Sequence, residues 1–143
     1  MPKRKATARW DGAFTEGAGT MRMASGAYEG AYSAQSRFEE GEGTNPEELL
    51  AAAHAGCFSM ALALFLGQAG FEPESVETEA TVQIEKAGEG FAINRIVLHT
   101  QARVPGIDEA EFQRQAEAAK DNCPVSQALA SVESIELEAE LVS

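Results

Sequence analysis

TNPEELLAAAHAGCFSMALALFLGQAG, residues 44–70, is the stretch on which the reading of this chain turns. Asn45 can accept the first unpaired amide hydrogens of a helix, Pro46 suits the first helical position, and Glu47 and Glu48 favour the positive end of the dipole. Glu48, three residues after Asn45, also fits a capping box. The spacing predicts a helix running to about Ala69, with Gly70 as its stop. From Leu49 to Phe71 there is no charged residue. A bilayer span has that length, but His54, Ser59 and Gln68 interrupt the run, and acidic residues flank it where lysine or arginine is expected. The alternative is a helix buried on every side. At ~1.5 Å per residue it is about 36 Å long, more than one small subunit can sheathe, so a second subunit is expected to cover one face.

Outward from the helix, two kinds of pattern appear. Residues 1–35 are rich in glycine and read as short antiparallel strands, with Ala6, Ala8 and Trp10 on one face and Met21 and Met23 on another strand. Phe38–Thr44 reads as an acidic loop. Downstream, Val76, Thr78, Ala80, Val82 and Ile84 alternate with polar residues as in a half-solvated strand. A turn at Lys86–Gly90 returns the chain through Phe91–Val104. Asp108 and Glu111 cap a further helix ending near Asn122, Cys123-Pro124 begins a short helical turn, and Ile135, Leu137, Ala139 and Leu141 mark a last strand. The expected fold is α+β, one domain over residues 1–143, with antiparallel sheets around a long buried central helix.

Composition limits the partners. The 143 residues carry 23 acidic and 11 basic side chains, a net charge of −12. Such a field disfavours nucleic acid and anionic membrane surfaces. Lys3, Arg4, Lys5 and Arg9 form one basic cluster near the start, read as a solubilising tail or strand edge. No apolar export segment is evident near Met1, which sets the expectation of a cytoplasmic, reducing compartment. The two cysteines are then catalytic, metal-binding or inert.

Cys57 lies mid-helix among apolar neighbours, where a thiol is ordinarily space-filling and its pKa raised unless a cation comes close. Cys123, just before Pro124, sits at a helix start, and local context alone makes it the more acidic thiol. His54 shares a helix face with Cys57 and is read either as a general base in a Cys-His acyl-transfer enzyme or as a core histidine. A metal set of His54, Cys57, His99 and Cys123 lacks the paired spacings of zinc sites, and no nucleotide, thioredoxin-type or serine-hydrolase motif occurs. The expectation is therefore no metal and no cofactor.

The segment Thr44–Leu62, the Cys123-Pro124-Val125-Ser126-Gln127-Ala128-Leu129 stretch and the connecting Val104–Asp108 together resemble the signature of the OsmC/Ohr family, and Ser36-Arg37-Phe38 points to the OsmC branch. The resemblance implies an intertwined homodimer with active sites at the subunit interface. It also implies a cysteine-based peroxidase for organic hydroperoxides, acting less well on hydrogen peroxide. By position, Cys57 is the peroxidatic cysteine and Cys123 the resolving one. Arg37 is the cation for the thiolate, and Glu47, with Glu48 as rival, the carboxylate that fixes it. This reverses the local ranking of the thiols. The family further suggests a dithiol reductant, such as a lipoyl group. Glu47 and Cys57 are ten residues apart, about 15 Å along one helix, so Glu47 and Arg37 are expected to serve Cys57 of the other subunit. Phe38, Phe58 and Met60 are candidates for an apolar pocket. Two other readings are the Cys57-His54 acyl-transfer enzyme and a non-catalytic, redox-sensing ligand-binding dimer.

Overall fold

The computed structural model describes all residues, Met1 to Ser143. The chain divides into two compact units, Met1–Leu49 and Leu50–Ser143.

In the first unit, β1 (Ala6–Asp11), β2 (Ala18–Met23) and β3 (Glu29–Tyr32) form an antiparallel sheet in that order. Gly19 pairs with both Trp10 and Tyr32, which brings the two rings to 5.4 Å between centroids. A helix that the sequence reading did not anticipate follows, α1 (Ala34–Phe38). Its signal is Ser33, whose hydroxyl accepts from the Ser36 amide while Ser36 Oγ accepts from the Ser33 amide. Gly43 then lets the chain pass close to β3. Its φ is +106°, and a Cβ there would lie 2.4 Å from the Ala31 carbonyl oxygen. That approach allows the Thr44 amide to donate to the same oxygen at 2.8 Å.

The long helix α2 spans Pro46–Gln68, starting and stopping where the capping residues predict. Asn45 Oδ1 accepts from the Glu48 amide at 2.8 Å, and Gly70 adopts φ +92°. The reciprocal half of the capping box is replaced, because Glu48 takes the Thr44 hydroxyl instead.

The second unit builds its sheet from β4 (Ser75–Ala87), β5 (Gly90–Arg103) and β6 (Ser134–Val142). Cross-strand rows Val82–Ile96–Ile135, Ala80–Leu98–Leu137 and Val76–Ala102–Leu141 line one face. Against that face pack Phe58, Leu62 and Leu66 of α2 and Phe112, Ala116 and Ala119 of α3 (Glu109–Asn122). Ser59 donates to Thr78 Oγ1 at 2.8 Å, joining α2 to β4. The opposite face carries Glu77, Glu79, Glu136, Glu138 and Glu140, accounting for much of the negative charge.

One expectation requires correction. β6 runs parallel to β5, so the second sheet is mixed rather than antiparallel. The reason is the connection. After β5 the chain crosses through α3 and a short α4 (Pro124–Ala128), and a helical crossover of this kind joins parallel neighbours. Within the chain α2 is buried along one side only, in keeping with its length. His54, Phe58, Leu62 and Leu66 form its buried stripe, whereas Met60 is 76% and Leu64 58% exposed. By length and composition α2 is able to cross a membrane, yet a lipid-facing span would give up that stripe and the bond to Thr78.

The Gly43 passage makes a direct prediction. Gly43→Ala adds both left-handed strain and a clash with backbone, and is expected to cost about 1–3 kcal/mol and lower Tm by several degrees. Gly26→Ala, at φ +81° with open space around it, is expected to cost less. Paired thermal melts check the difference.

Candidate active site

In the first unit, the capped α1 turn holds Arg37 in place. Ser36 Oγ donates to the Thr44 carbonyl at 2.7 Å, and Asn45 Nδ2 donates to the Ser36 carbonyl at 2.9 Å. These bonds fasten α1 to the start of α2, so that Arg37 meets Glu47. The guanidinium donates through Nε to Oε1 at 2.9 Å and through Nη2 to Oε2 at 3.0 Å, a bidentate pair. Glu47 is 8% exposed and Arg37 34%, so the carboxylate is buried and the cation keeps an open side. Glu48, bonded to Thr44 and exposed, is not Arg37's partner. Arg37 also lies 5.3 Å from the centre of the Phe38 ring.

Beside Arg37 opens a cavity of about 440 Å³ lined by Trp10, Phe14, Tyr32, Ser33 and Ala34. Aromatic side chains supply most of its wall, and the positive charge at its edge is already matched by Glu47. The cavity therefore suits an uncharged, apolar guest. Trp10 was read from the sequence only as part of a strand face, and Phe14 and Tyr32 were not singled out. A glycine-rich run of short strands gives no sign that three aromatic rings will converge.

In the second unit, Cys57 on α2 and Cys123 at the start of α4 face each other as free thiols. Cys123 is fully buried and Cys57 partly so. Burial pushes the Cys57 thiol up, the adjoining Cys123 side chain adds to the rise, and the backbone of Val125 opposes it. Without a further positive charge, Cys57 is a protonated thiol near neutral pH. Cys123 precedes α4 as expected, but the helix is only five residues long and the thiol makes no capping bond to it.

His54 is fully buried, with Nε2 2.7 Å from Ser126 Oγ and Nδ1 without a partner. Burial lowers its pKa. Ser126 thus engages one ring nitrogen of His54, and sequence reasoning did not identify Ser126. Phe58 belongs to the core and Met60 to the exposed side of α2, so neither lines this cavity. His99 lies on the outward face of the second sheet, 3.3 Å from Glu140.

Comparison with known proteins identifies related chains. Residues 39–138 match the family model described as OsmC-like protein, a stretch that includes Glu47 and both cysteines and begins just after Arg37. Over 127 residues the chain is 49% identical to peroxiredoxin OsmC of Escherichia coli, covering 88% of this chain and 89% of the relative. It is 38% identical over 89 residues to the organic hydroperoxide resistance protein of Xanthomonas axonopodis pv. citri, 62% of this chain and 61% of that one. Among solved structures, the organic hydroperoxide resistance protein OhrB of Bacillus subtilis superposes with a TM-score of 0.71 at 27% identity, covering 98% of both chains. An OsmC-like protein of Mycoplasma pneumoniae reaches 0.76 at 18% identity over 99% of each chain, a likeness of fold. With the family match spanning both cysteine segments and a relative half identical along most of its length, the chain belongs to the OsmC-like family.

Proposed function

We propose that this protein is a cysteine-based peroxidase that reduces organic hydroperoxides, and hydrogen peroxide less well, acting as one 1–143 domain in a cytoplasmic homodimer. The observation that carries the reading is the juxtaposition of two free thiols from distant parts of the sequence, Cys57 and Cys123. The names of the relatives, a peroxiredoxin and organic hydroperoxide resistance proteins, support the same chemistry.

In the cycle, the Cys57 thiolate attacks the hydroperoxide oxygen distal to carbon. The O–O bond breaks, and the alkoxide takes a proton to leave as the alcohol. Cys57 is oxidised to sulfenic acid. Cys123 sulfur then displaces hydroxide from Cys57, which leaves as water with the Cys123 proton, and a disulfide replaces the S–O bond. A dithiol of the lipoyl type returns both cysteines to thiols by exchange and is itself oxidised to a cyclic disulfide. Arg37 favours the thiolate and donates to the developing alkoxide, and Glu47 keeps the guanidinium oriented. The aromatic cavity beside Arg37 accepts the organic part of the substrate, which hydrogen peroxide lacks.

The homodimer reading rests on α2, whose exposed side carries Met60 and Leu64 among the small residues Ala52, Ala53, Gly56 and Gly67. Such a face permits close helix packing. Arg37 and Glu47 of one subunit then serve Cys57 of the other, since ten residues of helix separate Glu47 and Cys57 along one chain by about 15 Å.

The direct test is turnover of cumene hydroperoxide with dihydrolipoamide. Cys57→Ser is expected to abolish it, and Cys123→Ser to stop after one turnover with Cys57 as sulfenic acid. Retention of dithiol-driven turnover in Cys57→Ser would refute the reading. The guanidinium gives a second prediction. Arg37→Ala should lower kcat/KM by about 10²–10³ and move the alkaline rise of the rate to higher pH. The sign follows from the thiol, whose pKa burial already raises. Removing the cation raises it further, so more base is needed to form the thiolate. A pH profile of the two proteins measures the displacement.

A further inference from the structure

The hydrogen bond between His54 and Ser126 runs alongside the thiol pair. His54 stands three residues before Cys57 on α2, and Ser126 three residues after Cys123 on α4. About one helical turn therefore separates each partner from its cysteine, on the same side of its helix. Both side chains are buried, and their polar atoms lie 2.7 Å apart.

α4 needs such an anchor. Five residues cannot sustain a helix alone. Its own bonds, Gln127 amide to Cys123 carbonyl at 3.0 Å and Leu129 amide to Val125 carbonyl at 2.9 Å, shape the turn; the Cys123 amide ties its start to Ala119 of α3, and the Val125 backbone contact with Cys57 and the His54–Ser126 bond tie it to α2. Disulfide closure is demanding about that placement, requiring α-carbons about 4.4–6.8 Å apart. The imidazole is suited to a fixed, uncharged role, because protonation would place a second N–H at Nδ1 with no acceptor.

Resting on the peroxidase reading above, we infer that His54 and Ser126 are a positioning pair for the resolving step: their bond holds α4 against α2 so that Cys123 captures the Cys57 sulfenic acid before a second peroxide does. The pair touches no reacting atom. It acts on the step in which the S–O bond of Cys57 is exchanged for the S–S bond and water departs.

The test uses the full chain in single turnover with cumene hydroperoxide. Sulfenic acid is trapped by a cyclic 1,3-dione, and disulfide and sulfinic acid are followed by intact mass. Ser126→Ala removes only a hydroxyl. It is expected to slow disulfide formation at least ten-fold while sulfenic acid forms within two-fold of the parent rate, and sulfinic acid should appear at peroxide levels that leave the parent unharmed. Ser126→Thr, which keeps the hydroxyl, should recover the parent partition, and His54→Gln should fall between them. Disulfide formation at the parent rate in Ser126→Ala, with the parent cycling normally, overturns the positioning role alone. Equal slowing in Ser126→Ala and Ser126→Thr, tracking loss of Tm, overturns it in favour of a packing role. A parent protein that forms no sulfenic acid overturns the peroxidase reading and this inference together.

Discussion

A thiol set among apolar side chains resists ionisation, and the chemistry assigned to this protein depends on overcoming that resistance. Burial holds Cys57 in its protonated form, and the neighbouring Cys123 reinforces the effect. Only a nearby positive charge can reverse the balance. In the proposed mechanism that charge is Arg37. Rather than leaving it loose on the surface, the fold locks it to a buried carboxylate through two hydrogen bonds and braces the short helix that carries it through two further bonds at Ser36. An arginine so oriented loses little freedom when it meets a thiolate or a departing oxygen, which is what electrostatic preorganisation requires.

Much of the fold was legible because its signals are local. Asn45, Pro46 and Gly70 bound the long helix, Asp108 opens α3, and period-two alternation marks β4 and β6. The direction of β6 was not legible, since alternation reports which face is buried and says nothing of the neighbour's polarity. Helix α1 escaped because five residues carry too little periodicity, and only the Ser33–Ser36 exchange announces it. Within one chain α2 is covered along a single stripe, as its length against so small a subunit leads one to expect.

The site divides in the same way. Residue types were readable, whereas partners were not. Glu47 and Glu48 are adjacent in sequence and equally plausible, but they point about 100° apart around the helix, and only the folded loop before them decides that Arg37 meets the first while Thr44 takes the second. The local argument for an acidic Cys123 assumed a helix long enough to have a useful dipole, which α4 is not. Ser126 had no distinguishing feature at all until the crossover brought it to His54.

That crossover also sets an order of events during synthesis. Because β6 lies in parallel beside β5, its place in the sheet is reached only after the intervening helices have been made and laid across the face. The sulfur on α2 leaves the ribosome long before the one on α4. For that interval a growing chain carries one thiol whose partner has not yet been translated.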